Sequence, residues 1–572
     1  MNKLFLTILN YSLLIIHCSA QPLNQKEKFT HQDTLRGTIG PEREWWDVLH
    51  YDLHVTPDYD AKSITGETTI QYKIVKDKHT DYMQIDLQQP LKIDTIYYDG
   101  KLYINYPKKP YYNEGNVWHV PLPSAARNSI HTITIIYHGN PRIAVNPPWK
   151  GGWTFTKDAM GRPWMTVTCQ GLGASVWYPC KDHQSDEPDS GATLTITVPD
   201  SLIAVGNGRL ISKSDYSSVK LKIDSVQKKL VVEDSVRLSD YTWEVKAPIN
   251  NYNIIPYIGK YVTWHEDYNG EKGKLDCDYW VLDYDLEKAK RQFTQVDDML
   301  KCFEYWMGPY PFYEDGYKLV ETPHLGMEHQ SAVAYGNKFM NGYLGRDLSA
   351  SGWGLKWDYI IVHESGHEWF ANNITSNDIA DMWVHEGITD YTETLFVECQ
   401  SGKKAADAYT QGLRRTIRND RPIIGIYGVN QEGSSDMYNK GNSIMHMVRQ
   451  IIDNDSLFRN ILRGLNETFY HKTVDSKDIE NYIIQKSGKD LSKLFDQYLR
   501  TTKIPTLEYK IQGDKLSYHW ANCIDGFNMP VKLANSNEWL KPTTEWKEII
   551  ATSHMKDDLQ IDKNFYITVK KL

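Results

Sequence analysis

His363-Glu364-Ser365-Gly366-His367, followed further on by Glu386-Gly387, is the stretch from which the rest of the chain is read. Two histidines four apart stand one helical turn apart on one face, so both imidazoles can reach a single ion. Neutral imidazole suits zinc, and a catalytic zinc takes three protein ligands and leaves a fourth position for water. The eighteen residues between His367 and Glu386 are enough to end one helix, turn, and start a second that carries the third ligand. Glu364 stands beside the ion rather than on it, where it can take a proton from water. The string alone would also fit an exposed helix with solvated side chains. Its flanks argue otherwise, because Ile360-Ile361-Val362 and Trp369-Phe370 bury the helix and Trp383-Val384-His385 leads into the acid.

Outward from this centre the periodicity is helical. Leu286, Ala289, Phe293, Val296 and Leu300 form an apolar stripe closed by Gly308-Pro309-Tyr310-Pro311. Further helices are predicted at about 356–372, 386–399, 403–419, 438–453, 456–467, 475–487 and 490–500, with a loop and short strand over 322–330. Before residue 255 the pattern alternates with a period of two, at 50–55, 66–72, 132–137 and 192–198. Alternation returns at 507–511 and 567–569. The expected fold is therefore multidomain α+β. A polar linker (21–45) leads to an antiparallel β domain (46–255), a mainly helical zinc domain (256–502) and a small β-sandwich (503–572). Glu393, seven residues after Glu386 on the same helix face, is a candidate partner for a ligand histidine, though most glutamates are simply exposed. The loop from Cys169-Gln170-Gly171 to Pro179-Cys180, rich in glycine and aromatics, is either a packed corner or a segment that reaches a neighbouring site.

At 572 residues the chain exceeds one core. Hydrophobic content of 41% and charged content of 24% are those of a soluble globular protein. A net charge of −9 without a basic run excludes nucleic acid and anionic membrane surfaces as partners. Residues 1–20 read as a secretory signal. Lys3 gives the positive end, 4–16 the apolar stretch, and Cys18-Ser19-Ala20 the cleavage site before Gln21. Asn10 and Tyr11 interrupt a run already too short to span a bilayer, so no stable membrane insertion is expected. A lipid-bearing Cys18 is the rival reading, which bulky His17 fits poorly. Either way the protein is exported, to the periplasm or beyond. The remaining Cys169, Cys180, Cys277, Cys302, Cys399 and Cys523 form no Cys-x-x-Cys pair, and any disulfide pairing stays open.

Three ordered motifs resemble the aminopeptidase N family of zinc metallopeptidases, related to the leukotriene hydrolase that is also an aminopeptidase. They are His363-Glu364-x-x-His367 with Glu386, Leu325-Gly326-Met327-Glu328-His329, and Tyr438-Asn439-Lys440-Gly441. The resemblance runs from about residue 45 to 572. It implies a thermolysin-like catalytic domain and one zinc per chain on His363, His367 and Glu386. Glu364 would serve as general base and Tyr438 as oxyanion donor. Glu328, with Gln170, Gly326 and Met327, would bind peptides that have a free amino terminus. His329 stands where the family has Asn, Gln330 where an aromatic is common, and Leu325 for a first glycine, which bears on pocket shape. The family's helical carboxy-terminal domain has no counterpart here, which predicts a more open site. The function implied is removal of amino-terminal residues. The alternatives are an endopeptidase or epoxide hydrolase on the same zinc, or a non-catalytic peptide binder.

Overall fold

The computed structural model describes residues 28–103, 110–223, 230–553, 555 and 558–572. The leader read over 1–20, with Cys18, lies outside them. The first described element is a helix, α1 (His31–Gly37), capped by Thr30 and Asp33. Of the stretch read as a linker (21–45), the described part from residue 28 onward thus contains a helix, and 21–27 lie outside the described residues. Arg43 is fully buried, donates to the carbonyls of Leu35 (3.1 Å), Arg36 (2.8 Å) and Thr38 (3.0 Å), and pairs with Asp86. A charged residue that looks solvated in sequence is instead the bolt that holds α1 onto the β domain.

Alternating burial along Trp46–Asp58 and Ser63–Ile74 places one face of each strand in the core. These strands sit inside an eight-stranded sheet that is antiparallel except where Trp46–Asp58 runs parallel to Ala192–Pro199, with Leu53 opposite Leu194. A second sheet runs Ile203–Val205, Tyr257–Gly259, Pro163–Thr168, Gly152–Lys157. Because Tyr257–Gly259 pairs there, the boundary expected at 255 falls a few residues early. Trp46, Tyr51, Ile70, Ile135, Trp153 and Trp177 lie in the core of this region.

A five-stranded sheet follows, in the order Tyr261–Gly270, Gly273–Leu282, Tyr317–Glu321, Val333–Tyr335, Gly326–Met327. Gly326–Met327 is its edge. The apolar stripe of 286–300 is split into α2 (Leu286–Gln292) and α3 (Gln295–Met307). Then come α4 (Tyr359–Gly366), α5 (Trp383–Ser401), α6 (Lys403–Leu413), α7 (Asn439–Ile452), α8 (Asp455–Thr468), α9 (Ser476–Ser487) and α10 (Ser492–Arg500). A Cys302–Cys399 disulfide ties α3 to α5. The end of the chain forms a four-stranded sheet, with Thr506–Gln512 and Lys515–Ala521 at its centre, and a short two-stranded one. Among the described residues no helix is long and apolar enough to cross a membrane.

Two motif glycines explain each other. A Cβ on Gly441 would sit 2.5 Å from the Gly387 Cα, and one on Gly387 would sit 2.9 Å from the Gly441 Cα. Helices α5 and α7 therefore touch backbone to backbone, which brings Tyr438, at the start of α7, up to Glu386 on α5. Gly441→Ala is expected to destabilise the fold by about 1–3 kcal/mol, since backbone cannot step aside as a side chain can. Denaturant unfolding measures it, and a variant as stable as the parent would show that the crossing relaxes.

Candidate metal centre and substrate cavity

Helix α4 starts at Asp358, whose carboxylate accepts from the backbone N–H of Ile360 (3.1 Å) and Ile361 (3.4 Å). Gln292, Tyr335 and Asn337 hold the same carboxylate from three sides. The helix so anchored carries His363 and Glu364 and ends at His367, sooner than the helix expected to run on to 372. Past a wide turn the backbone leaves helical geometry at Phe370 and Ala371. That break turns the Phe370 carbonyl back onto His367 Nδ1 at 3.1 Å, with Thr389 Oγ1 also at 3.1 Å. His363 Nδ1 faces Glu393 Oε1 at 2.6 Å, and Tyr409 donates to the other oxygen of Glu393 at 2.6 Å. Both Nδ1 atoms are thereby engaged as donors, so each histidine presents a free Nε2.

Those Nε2 atoms lie 3.3 Å apart, and Glu386 Oε2 lies 3.7 Å from His363 and 3.3 Å from His367. A tetrahedral ion with bonds of about 2.1 Å sets its ligand atoms about 3.4 Å apart, so the triangle fits zinc. Glu386 Oε2 is buried and makes no hydrogen bond, as expected of a ligand atom. In the metal-free protein burial pushes the Glu386 carboxyl up, but the two histidines outweigh it and hold it below the usual carboxylate range.

Glu364 is buried beside this triangle, and burial pushes its carboxyl up to about 7 against the pull of His363 and His367. A Cβ on Gly326 would meet Glu364 Oε1 at 2.6 Å, so glycine there leaves the carboxylate its room. Glu328, just past the edge strand, takes hydrogen bonds from Gln170 and from the Tyr252 hydroxyl (2.9 Å). One side-chain atom each of Glu328, Glu364 and His367 lie within 4.8 Å of one another. Gln170 reaches the site because Gly171 is held by Arg36 of α1 (2.7 Å) and Asn430 (3.1 Å). Tyr438 packs its ring 6.1 Å from that of His363. The nine residues to which the resemblance gives a metal, catalytic or substrate-binding role, Gly326 and Met327 among them, line one cavity of about 690 Å³; Glu393 stands behind it, against His363.

The profile described as "Peptidase M1 N-terminal domain" matches residues 48–228, and "Peptidase family M1 domain" matches 284–498. The chain belongs to peptidase family M1. Aminopeptidase M1 of Arabidopsis thaliana is 22% identical over 86% of this chain and 54% of its own length. Tricorn protease-interacting factor F2 of Thermoplasma volcanium is 21% identical over 70% of this chain and 48% of its own. The chain thus spans about half the length of these curated relatives. Among solved structures, an M1 zinc metallopeptidase from Deinococcus radiodurans superposes with a TM-score of 0.62 at 19% identity, covering 80% of this chain and 95% of that one. A mutant M1 zinc metallopeptidase from Deinococcus radiodurans, bound to a Tyr-Ser-Ala substrate, gives 0.63 at 19%, covering 81% and 96%. At such identity the likeness is one of fold.

Two departures noted in this M1 chain turn out to lie behind the cavity. His329 is buried with Nδ1 2.5 Å from the Tyr257 hydroxyl, and Gln330 donates to the Pro248 carbonyl at 3.0 Å; neither is a lining residue. Leu325 does line it. Sequence reasoning missed Tyr252, Tyr343, Glu432 and the loop 142–151, all of which border the cavity or the groups in it. Tyr252 lies 76 residues from Glu328, and no local spacing signals the pair.

Proposed function

We propose that the chain is a zinc-dependent aminopeptidase that hydrolyses the amino-terminal bond of peptides. The observation that carries this reading is the buried carboxylate of Glu328 beside Glu364 and the metal triangle. An α-ammonium pairs with it, and the first peptide bond then falls next to His363, His367 and Glu386. An internal peptide segment would leave Glu328 buried and unpaired, which is costly. Burial raises the Glu328 carboxyl, with the charge on His367 opposing, and an arriving ammonium favours its ionised form. Tyr252 stays a phenol, its hydroxyl pushed far up by burial and by Glu328, and so goes on donating.

His363, His367 and Glu386 would hold the zinc, which when bound polarises the scissile carbonyl and acidifies water. Glu364 takes the proton of the attacking water and passes it to the departing amine. The Tyr438 hydroxyl, raised well above its ordinary range first by burial, remains protonated and donates to the carbonyl oxygen as negative charge develops there. Glu393 holds His363 in the tautomer that leaves Nε2 free. The edge strand Gly326–Met327 offers its unpaired backbone to an extended substrate as an added strand. Names of the relatives agree with this reading. Export, read from residues 1–20, is part of the proposal, and the Cys302–Cys399 disulfide supports an oxidising compartment.

The test is a matched pair, one peptide with a free amino group and its acetylated copy. Only the free form should be shortened, one residue at a time. Glu328→Gln should lower kcat/KM on it by about 10²-fold, as loss of a buried charge partner does. Internal cleavage of the acetylated copy would instead point to an endopeptidase.

A further inference from the structure

The cavity is electrically lopsided. Its floor carries Glu328, Glu364 and Glu386, all from the catalytic region, with Glu432 also lining it. Arg142 and Lys150 are the only Lys or Arg among the residues lining it, and both come from a loop of the β domain. Neither makes an ion pair or side-chain hydrogen bond with any described residue, although the cavity they border is rich in carboxylates. Unpaired cations beside acids are held off by distance or by position, and here they stand at the exposed rim.

The loop that carries them is braced. Ala144 N–H donates to the Trp153 carbonyl (3.0 Å), Trp153 N–H to the Arg142 carbonyl (2.8 Å), and Lys150 N–H to the Asn146 carbonyl (2.8 Å). A Cβ on Gly151 would meet the Thr168 carbonyl at 2.1 Å, so the loop lies flat on the strand beneath it. At its tip Trp149 is 64% exposed and Val145 80%, with Pro148 and Trp149 lining the cavity. A solvent-facing tryptophan between two free cations on a braced loop is the composition of a recognition surface.

We propose that loop 142–151 binds the far end of the substrate. Arg142 and Lys150 take the free carboxylate of a short peptide, and Trp149 covers the residues that lead to it. This rests on the aminopeptidase reading and adds a second anchor to Glu328. The ammonium is drawn to the acidic floor and the carboxylate to the basic rim, so the cavity favours peptides short enough to satisfy both. Both contacts form between opposite charges, and the rim pair, being exposed, weakens with added salt.

The experiment compares kcat/KM for di-, tri- and tetrapeptides with their carboxamides, on zinc-loaded full-length protein and on Arg142→Gln/Lys150→Gln. Aminoacyl arylamide hydrolysis is followed in parallel. At one of these lengths the parent should cleave the acid about fivefold faster than the amide at low salt, as two exposed charge contacts allow. The double variant should bring that ratio to about one, and 0.5 M salt should shrink it in the parent. A parent ratio near one at every length overturns the proposal. So does a ratio that survives in the double variant, because another group then reads the carboxylate. If arylamide and peptides are all inert, the aminopeptidase reading fails. The same acid-to-amide ratio, taken from calorimetric binding of the uncleaved peptides, then still decides the role of the loop. Should the double variant not fold, the salt dependence of the parent ratio carries the test.

Discussion

Glu364→Gln should lower kcat on the order of 10³-fold, within the 10²–10⁴-fold span of a positioned general acid–base. Amide replaces carboxylate with almost no change of shape, so the opening that Gly326 leaves for it stays filled. Glu364 supplies no corner of the triangle formed by His363, His367 and Glu386, so metal content should remain one zinc per chain. On the proposed mechanism, what the variant lacks is an acceptor for the proton of water and a donor for the leaving amine. On the proposed reading Glu328 binds the substrate, so KM should move little, and kcat and kcat/KM should fall together. Metal analysis and steady-state kinetics on one preparation read all three quantities. Activity within tenfold of the parent would assign the proton transfer to another carboxylate of the floor.

What could be read from sequence was whatever local spacing fixes. His363 and His367 share a helix face by their interval of four, and Glu386 follows after a countable turn. Glu393 was visible as a possibility, and the 2.6 Å contact with His363 Nδ1 resolves it. Illegible were the contacts made by distant segments. Tyr252 and Gln170 come to Glu328 from the β domain, 76 and 158 residues away in the chain. Arg43 looked like part of a polar arm because its partner Asp86 is 43 residues off. The helix predicted through 372 stops at His367 because the chain breaks from helical geometry at Phe370 and Ala371, where the Phe370 carbonyl takes hydrogen bonds from His367 and from the distant Thr389, which the apolar periodicity does not signal. His329 and Gln330 looked like pocket residues by their place beside Glu328, yet the chain turns just past the edge strand, and the two side chains engage the Tyr257 hydroxyl and the Pro248 carbonyl of the β domain instead.

Removal of zinc should abolish hydrolysis, and it should leave a protein that loses stability as pH rises. Without the ion, burial pulls the imidazole of His363 down, but Glu386 and Glu393 outweigh it and raise its affinity for protons well above normal. For His367 burial again pulls down and Glu386 outweighs it. Protons thus stand in for the metal's charge. A histidine whose folded pKa exceeds its unfolded value of about 6.5 stabilises fully below that pH and less as pH climbs through the folded value. Glu386, held low, contributes above about pH 4.3 and is lost only in acid. The metal-free protein should therefore be most stable between about pH 4.5 and 6.5. Zinc competes with those protons, so its affinity rises with pH. At free zinc a thousandfold above Kd it adds about 4 kcal/mol. The gap between zinc-loaded and stripped melting temperatures should consequently widen from pH 6 to 9, and added zinc should restore activity. A gap that stays constant or narrows would mean that the imidazoles are not protonated when the ion leaves.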